Sequence, residues 1–588
     1  MKQNIIFKLS IAAFVSAAFV SCSEFDQMSK NPYALYKEDV PAEEYIHPIM
    51  FKTEYSLIST FRNNTIMLMQ YGVSISNENS SRIIDDYNIP EGVTDDIWSD
   101  LYLQLGNAKA MYDKALKEEN APVQAVALIL QSLLITHITD TYGDVPFADA
   151  GRLAMSDDLG NYKTGYDTQK DIYCKVVCML EDANEILKAW EADASQTKYQ
   201  LPSVCDLTFN GDLVKWRRFG NSLYARVLMR IAQKVIDESN GILDLGDDKW
   251  GAIGVQAKLA ELYTCFFNKG GEYPQMTGIE DRPLVPFSDQ NEVEHTPFYS
   301  WTGGNWHTVG VSDVLVRQML DYTVDTDADG QTVYLYKASS SGGHQEDPRY
   351  DCYWRKAFGM PVQLLNKDRA RFVNTHTSSE GTSQIGRLPN GAVNSWITKQ
   401  TYDLKNAPYY PMMQYSELWF IYAEAGARGW VANISDFNDY EPLLENGVKA
   451  SILEWNPYVT ADSPEVTAYL SYIANGKKYS NSKKLTEANA VEAILTEKWL
   501  ANFFIGIESW CDYRRTGFPL LKTNGPSASN DNILPTRMRY PSDEQYRNPD
   551  SFSEVLARAW LGGSNNIQSD VWWASTNESY QNRLKGRQ

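Results

Sequence analysis

The sequence is poor in positive charge. Its 588 residues include 54 Lys or Arg against 75 Asp or Glu, which gives a formal net charge of −21. The pI is near 4.8. A surface of this sign repels phosphate backbones, because like charges raise the free energy of association. We therefore expect no nucleic-acid partner.

Histidine is also scarce, and no catalytic signature stands out. The 6 His are scattered along the chain, without an HExxH motif or the pattern of a nucleophilic triad. Carboxylates are plentiful, but a glycosidase pair is defined by the spatial separation of its two members, and the sequence singles out no two. The sequence predicts a protein that is not an enzyme, and a surface hydrolase is the less favoured alternative.

The cysteines do not form a metal motif. There are 7, with no CxxC repeat and no Cys/His cluster at zinc spacing. Cys174 and Cys178 are four apart in a helical pattern, so they share a face and either pair or pack there. We expect most of the cysteines after Cys22 to be buried small apolar residues. They are Cys174, Cys178, Cys205, Cys265, Cys352 and Cys511.

Long hydrophobic runs are absent except near the N-terminus, where Leu9 to Val20 follow Lys2 and Lys8. This run is about a dozen residues, short of the roughly 20 that a membrane-spanning helix needs. Charge, a short apolar stretch and then small residues are the layout of a cleaved export signal. No later segment is predicted to span a membrane.

The end of this signal resembles a lipobox, with Phe19-Val20-Ser21 directly before Cys22. We expect Cys22 to be lipidated, and the alternative is an ordinary signal peptide followed by a chance cysteine. More than one acyl chain anchors a protein stably, because each buried CH₂ contributes about 0.8 kcal/mol. The acidic stretch Ser23-Glu24-Phe25-Asp26 resembles the surface-export signal of some Gram-negative lipoproteins. The expected location is therefore the extracellular face of an outer membrane, with membrane contact through the lipid only.

The chain that follows is predicted to be mainly α-helical. Apolar residues recur at a spacing of three and four in several long segments. Pro122 marks a first helical turn, and Trp98-x2-Leu101 resembles the start of a tetratricopeptide unit, although no clean repeat of that length is present. The helical patterns cover 97–117, 122–138, 167–190, 213–236, 311–322, 412–430, 440–455 and 488–505.

Between these groups lies a stretch that is rich in Gly, Pro, Ser, Thr and aromatic residues. Binding residues commonly lie on loops that a rigid scaffold positions. We therefore divide the chain into a signal peptide, a lipidated tether, a tetratricopeptide-like helical part, a loop-rich and aromatic-rich ligand-binding lobe, and a C-terminal helical and capping part. These cover 1–21, 22–40, 41–269, 270–411 and 412–588, respectively.

Several ordered motifs follow one another along the chain. The first is Thr139-Asp140-Thr141-Tyr142-Gly143-Asp144-Val145-Pro146-Phe147, in which Gly143 and Pro146 stop a helix and Asp144 can cap the turn. The others are Lys215-Trp216-x2-Phe219-x-Asn221, Glu497-Lys498-Trp499, Gly506-Ile507-Glu508-Ser509-Trp510-x-Asp512-x-Arg514-Arg515, and Arg537-x-Arg539-Tyr540-Pro541. Together these motifs resemble the SusD/RagB family of outer-membrane nutrient-binding lipoproteins, and the resemblance runs from the lipobox to the C-terminus.

This resemblance implies a SusD-like right-handed helical scaffold that acts as the extracellular lid of a SusC-like TonB-dependent transporter. Family members help to capture glycans or, in some branches, peptides. The resemblance also implies that Arg514 and Arg515, near Glu508 and Asp512, form a buried ion-pair network and not a catalytic site. The alternative function is a protein-interaction scaffold or adhesin whose aromatic lobe is only structural.

Two segments are candidates for the ligand site. In the first, Tyr299, Trp301 and Trp306 lie in a Gly-containing stretch, where flat rings can stack on sugars while Asn305 and His307 bind hydroxyl groups. The second, 77–98, offers Arg82 and Tyr87 in a polar loop between helices. Aromatic residues make up 12% of the chain, and the competing interpretation is that these rings fill its core.

One acidic segment has the spacing of calcium ligands. Asp325, Asp327 and Asp329 alternate before Gly330, as in the first half of a calcium loop. The twelfth position is Tyr336 and not the usual bidentate Glu, which removes two ligand oxygens. Either Ca²⁺ binds weakly here, with another segment completing the site, or the segment is an acidic surface turn. No other cofactor is predicted.

Overall fold

The structure is a computed structural model. It describes residues 40–60, 64–74, 84–151, 164–287, 297, 309–320, 322–326, 332–336, 346–350, 359–365, 367–369, 409–456, 458–474, 485–525 and 527–575.

Helices dominate the described residues, which confirms the predicted fold class. Those longer than a single turn are α1 Ile46–Thr60, α2 Asp95–Lys117, α3 Ala121–Tyr142, α4 Gln169–Ala192, α5 Leu213–Ser239, α6 Val255–Phe267, α7 Asp313–Met319, α8 Tyr415–Ala427, α9 Phe437–Trp455, α10 Pro464–Ala474, α11 Ala490–Ala501, α12 Gly506–Thr516 and α13 Pro549–Leu556. Each predicted helical segment contains an observed helix, and 488–505 ends with α11 before α12 begins.

The helices α2 to α5 form the first half of the fold, where each helix packs along the next. Their ends follow from local chemistry. The Asn120 side chain accepts the Val123 N–H at the start of α3, and the Thr168 side chain accepts the Asp171 N–H at the start of α4. The connection between α2 and α3 is short, since α2 ends at Lys117 and α3 begins at Ala121, and such a connection makes the two helices an antiparallel pair.

Helix α3 is apolar on nearly all sides because it lies in the middle of this group. It is long and apolar enough to cross a membrane by length and composition, which the sequence analysis did not anticipate. However, 89% of its most apolar window is buried inside the protein. Its environment is therefore that of a core helix.

A network of buried ion pairs joins α5 to the C-terminal helices α8, α11 and α12. Arg226 pairs with Glu417 at 2.6 Å, and Glu417 lies 3.6 Å from Lys498. Lys498 pairs in turn with Asp512 at 3.0 Å. These side chains are at most 6% exposed, so the helices are joined by charges that water does not screen.

The predicted cluster of Arg514, Arg515, Glu508 and Asp512 is buried, but its partners differ from the prediction. Arg515 does pair with Asp512, at 2.7 Å. Glu508, by contrast, pairs with Arg230 of α5. Arg514 donates to backbone carbonyls and lies 3.6 Å from the centre of the Trp510 ring. Arg514 is therefore held by carbonyl oxygens and an aromatic ring in place of the carboxylates that we expected.

The described strands form four two-stranded antiparallel sheets. The pairs are β1 Gly72–Ser74 with β5 Val309–Val311, β2 Ile242–Asp244 with β3 Ala252–Gly254, β4 Leu284–Pro286 with β8 Tyr409–Pro411, and β6 Tyr322–Thr326 with β7 Thr332–Tyr336. The pairing of β4 with β8 brings both ends of the predicted lobe together, with Leu284 opposite Pro411.

Two expectations for single elements are tested here. The pattern over 311–322 predicts one helix, but α7 ends at Met319 and Tyr322 begins β6, so the second part of that prediction is wrong. All five described cysteines after Cys22 are buried and free, and Cys174 and Cys178 pack without pairing. Cys22 and Cys352 lie outside the described residues.

Candidate functional site

Most of the predicted ligand residues lie outside the described residues. These are Arg82, Tyr299, Trp301, Asn305, Trp306 and His307. Their roles stay predictions, but the residues from which their segments leave the fold are described. The candidate site is therefore built from those flanking residues.

The two segments proposed independently for ligand binding leave the fold side by side. Strand β1 ends at Ser74, before the connection that contains Arg82. Strand β5 begins at Val309, directly after the connection that contains Trp301 and Trp306. In the antiparallel register Ser74 is the partner of Val309. The two connections therefore start from neighbouring residues at one end of one ladder.

A buried ion pair contacts the backbone at this end of the ladder. The Arg369 guanidinium lies 3.1 Å from the Asp85 carboxylate, and both side chains are 0% exposed. Arg369 also donates to the Ser74 carbonyl. The Asp85 carboxylate accepts the Ser74 N–H at 3.4 Å. The pair thus binds both backbone polar groups of the last residue of β1. We call Ser74, Asp85, Val309 and Arg369 the ladder-end cluster.

Three buried residues beside this cluster have left-handed backbone conformations. They are Gln70 (φ 56°), Tyr87 (φ 66°) and Gln363 (φ 59°). Non-glycine residues rarely adopt positive φ, and in αL it costs roughly 1–2 kcal/mol each. The cost is offset here by side-chain hydrogen bonds: Lys522 donates its N–H to Gln70 Oε1 at 3.0 Å, and Gly525 donates its N–H to Gln363 Oε1 at 2.7 Å. Such strain persists where the surrounding structure requires one backbone path.

Tyr87 itself corrects part of the prediction. The sequence analysis places it in a polar loop facing a ligand, but the structure buries it completely. Its hydroxyl donates to the Lys522 carbonyl at 3.0 Å and accepts from Gln70 Nε2 at 3.0 Å. Burial raises the pKa of Tyr87 well above its usual value. Tyr87 therefore packs inside the protein next to the ladder-end cluster and presents no ring face to solvent.

A second concave surface lies on the helical part, where α2, α3 and α4 meet the segment after α3. It has a volume of about 430 Å³. Lys109 lies 4.6 Å from the centre of the Phe147 ring, and the Asp167 carboxylate accepts the Phe147 and Ala148 N–H groups at 2.7 and 2.9 Å. Sequence reasoning missed this groove, although the motif ending in Phe147 forms its edge. The lining also includes Tyr112, Asp113, Gln131, Asp171, Ile172 and Lys175.

The predicted calcium segment connects two strands. The ladder of β6 and β7 closes with Thr326 opposite Thr332, and Asp325 belongs to β6. The helices that flank the calcium loop of an EF-hand are replaced here by strands. Asp327 and Asp329 lie outside the described residues, so calcium binding stays a prediction. Elsewhere in the described parts of the chain, no group of three His, Cys, Asp or Glu residues is placed to hold a metal ion.

Solved structures share this fold. A chitin-binding SusD homologue from Flavobacterium johnsoniae is 19% identical, with a TM-score of 0.63, and the match covers 90% of this chain and 98% of that chain. A SusD homologue from Bacteroides uniformis is 19% identical, with a TM-score of 0.64, covering 92% and 100%. One from Parabacteroides distasonis is 16% identical, with a TM-score of 0.65, covering 90% and 98%.

The sequence itself matches a family model. A comparison with curated protein sequences gives no match. The family model of SusD-like proteins, described as starch-binding and associating with the outer membrane, matches residues 35–243 and 344–541. This is more than half of the chain, and it includes the motifs that end α3 and form α12. The chain therefore belongs to the SusD-like family.

Proposed function

We propose that this protein is a cell-surface lipoprotein that binds glycan nutrients without catalysis and acts as the extracellular lid of a TonB-dependent transporter. The observation that carries the glycan-binding part is the register of β1 and β5. It pairs Ser74 with Val309, the residues that flank two separately predicted ligand segments, on a fold whose family is described as starch-binding.

The proposed contacts have a simple physical basis. Trp301 and Trp306 present flat apolar faces for sugar rings, while Asn305 and Arg82 supply hydrogen bonds for hydroxyl groups. These aromatic residues fall between the two matched stretches of the family model, 35–243 and 344–541. The segment that contains them is therefore in one of the stretches that the family model does not match, as expected of a ligand-specific element.

Glycan binding can be measured directly. Starch, chitin oligosaccharides and a panel of plant and mucin glycans are titrated against the chain without its first 22 residues. Replacing Trp301 and Trp306 together by Ala is expected to weaken binding of the responsive glycan at least about tenfold, since stacked rings carry much of the contact energy. The matched control is Trp250→Ala, because Trp250 is a half-buried tryptophan on the β2–β3 turn of the helical part.

Two results would count against glycan binding. Equal affinity in the double variant and in the wild type would remove the aromatic segment from the site. Binding of peptides in the absence of any glycan binding would favour the peptide-binding branch of the same transporter class.

The anchor and the transporter partnership are tested in cells. Labelling with a palmitate analogue is expected to mark the wild type and not Cys22→Ser, because only a thiol in this position can be acylated. Affinity purification of the wild type from detergent-solubilised outer membranes is expected to recover a TonB-dependent barrel. Recovery of soluble proteins alone would instead support the scaffold or adhesin alternative, for which the groove on α2 to α4 is the natural contact surface.

Weak calcium binding at Asp325, Asp327 and Asp329 is a separate proposal, supported by their alternate spacing. Isothermal titration in chelator-stripped buffer should give heat of Ca²⁺ binding that Asp327→Asn together with Asp329→Asn abolishes. The absence of both heat and any shift in melting temperature in the wild type would remove this proposal.

A further inference from the structure

The ladder-end cluster contains a buried ion pair with an unusual set of partners. Arg369 Nη2 donates to Asp85 Oδ2 at 3.1 Å and to the Leu364 carbonyl at 3.3 Å. Arg369 Nη1 donates to the Ser74 carbonyl and lies 3.5 Å from Asp85 Oδ1. The planar guanidinium thus bridges one carboxylate and two backbone segments, which a lysine ammonium cannot do in the same geometry.

The carboxylate has the complementary role. Asp85 accepts the Ser74 N–H at 3.4 Å and the Gln363 N–H at 3.2 Å. Ser74 therefore binds both members of the pair. Gln363 binds Asp85, and the next residue, Leu364, binds Arg369. The parallel bridge between Ser312 and Met360 brings the segment of Gln363 against the end of β5. The ion pair thus connects three chain segments: the end of β1, the segment of Asp85, and the segment from Gln363 to Arg369.

The ladder at the pair is short. Each of β1 and β5 has only 3 residues, all of them buried, so few hydrogen bonds within the ladder itself fix the position of Ser74. Burying an arginine and an aspartate brings a large desolvation cost, so such a pair contributes little net stability but strongly favours one arrangement of its neighbours. This is the arrangement in which Ser74 faces Val309.

We propose that Asp85 and Arg369 are positioning residues for ligand capture: they hold Ser74 against Val309, the two residues that flank the predicted ligand segments. The inference rests on the proposed glycan-binding function. It adds a residue pair expected to act on affinity through the backbone that it binds.

The test compares two buried arginines. Arg369→Lys keeps the charge but loses the fork. Arg349→Lys is the matched control, because Arg349 is also 0% exposed and forks onto Asp347 and Glu497, away from the ladder. Two quantities are measured in the chain without its first 22 residues: hydrogen exchange of peptides covering 70–74 and 309–313, and affinity for the glycan that the wild type binds. The melting temperature is recorded for each variant.

Both substitutions are expected to lower the melting temperature. Only Arg369→Lys is expected to speed exchange of the ladder amides about tenfold or more and to weaken glycan affinity about tenfold, which corresponds to 1.4 kcal/mol. Unchanged ladder exchange in Arg369→Lys, or an equal loss of affinity in Arg349→Lys, would overturn the proposal.

Two further outcomes are separated by the design. If Arg369→Lys does not fold, Asp85→Asn replaces it, because the amide keeps the shape and one acceptor oxygen while it loses the charge. If the wild type binds no glycan, the proposed function fails. The ladder-exchange arm then decides alone whether the pair positions Ser74.

Discussion

Buried ionisable side chains show how strongly single residues depend on their surroundings. Burial raises the pKa of Glu54 on α1 to about 8, and its Oε2 has no hydrogen-bond partner among the described residues. Burial alone would raise the pKa of Glu424 as well, but Arg515 and Arg428 outweigh it and lower the pKa to about 2. Two buried glutamates thus have opposite protonation states at neutral pH.

Replacing Glu54 by Gln should stabilise the protein at alkaline pH. The folded-state pKa of Glu54 is raised, so its contribution to stability is full below about 4.5 and is lost as the pH rises towards 8. Glu54→Gln removes this loss, and we expect its melting temperature to exceed that of the wild type by a few degrees at pH 9 and by less at pH 5.

The control for this experiment is Glu554→Gln, which changes an exposed glutamate on α13. Its melting temperature should follow that of the wild type at both pH values. A Glu54→Gln advantage of the same size at pH 5 and pH 9 would contradict the assigned pKa.

Tyr87 shows the limit of residue-level reasoning. Its neighbours in sequence are polar, so the pattern suggests an exposed loop. The partner that buries its hydroxyl is the carbonyl of Lys522, 435 positions away. Local sequence carries no signal of such a contact, and the same holds for Asp85 and Arg369, which are 284 positions apart.

The helices were well predicted because their evidence is local. Spacing of apolar residues and capping side chains located α2 to α5 within a few residues. The second part of 311–322 was wrong because Tyr322 pairs with Tyr336 in a hairpin, and strand pairing prevailed over helical spacing. The ion-pair partners of α12 were also missed, since composition identifies charges but not which of them meet.

The end of α3 gives a sharp test at this scale. Gly143 has φ 91°, and a Cβ placed there would lie 2.5 Å from the Trp560 ring. Gly143→Ala therefore combines backbone strain with a clash against the C-terminal part, and should lower the free energy of unfolding by about 3 kcal/mol or more.

Gly429→Ala separates the two effects. Gly429 also has positive φ, at 68°, but a Cβ there would meet nothing within 4 Å. This variant should lose only the strain cost of roughly 1–2 kcal/mol in denaturant unfolding. Equal losses in the two variants would show that Trp560 moves aside.

The buried ion pairs between α8 and α12 predict a larger loss of stability when one of their residues is replaced. Arg515 binds Glu424 on α8 at 2.5 Å and Asp512 on α12 at 2.7 Å, all nearly unexposed. Arg515→Met leaves two buried carboxylates without this partner, which should cost about 3–5 kcal/mol in equilibrium unfolding at pH 7. The comparison is Arg547→Met, whose exposed pair with Asp543 should contribute under about 1 kcal/mol.

For the whole molecule, these buried groups predict sensitivity to acid. Burial lowers the pKa of His137 to about 4, so stability falls as the pH drops from 6.5, where the unfolded histidine begins to bind protons. Glu508 has a pKa lowered to about 2, because Arg226 and Arg230 outweigh the effect of burial, so its contribution falls below pH 4.5. Glu424 behaves alike, whereas Glu54 and other buried carboxyl groups with raised pKa values, such as Asp140 and Glu454, oppose the trend.

We therefore expect the denaturant midpoint to fall steadily from pH 7 to pH 3, followed by circular dichroism at fixed ionic strength. A midpoint that stays constant over this range would contradict the assigned states of His137, Glu424 and Glu508.

The family resemblance predicted the fold at this scale, but the ligand remains a proposal because the segment expected to bind it lies between the matched stretches.

The apolar character of α3 has a consequence for export across the inner membrane, which the proposed location requires. A chain exported before it folds passes the translocon, which releases sufficiently apolar segments sideways into lipid. Polar residues within the helix oppose that release: Gln131, His137 and Asp140 are buried in the native protein but would face hydrocarbon in transit. Asp140, which binds Arg230 in the folded protein, is therefore expected also to keep the helix from becoming a membrane anchor during export. Gln131→Leu combined with Asp140→Leu should leave a fraction of the protein embedded in the inner membrane, detectable as carbonate-resistant material, whereas Glu554→Gln should not.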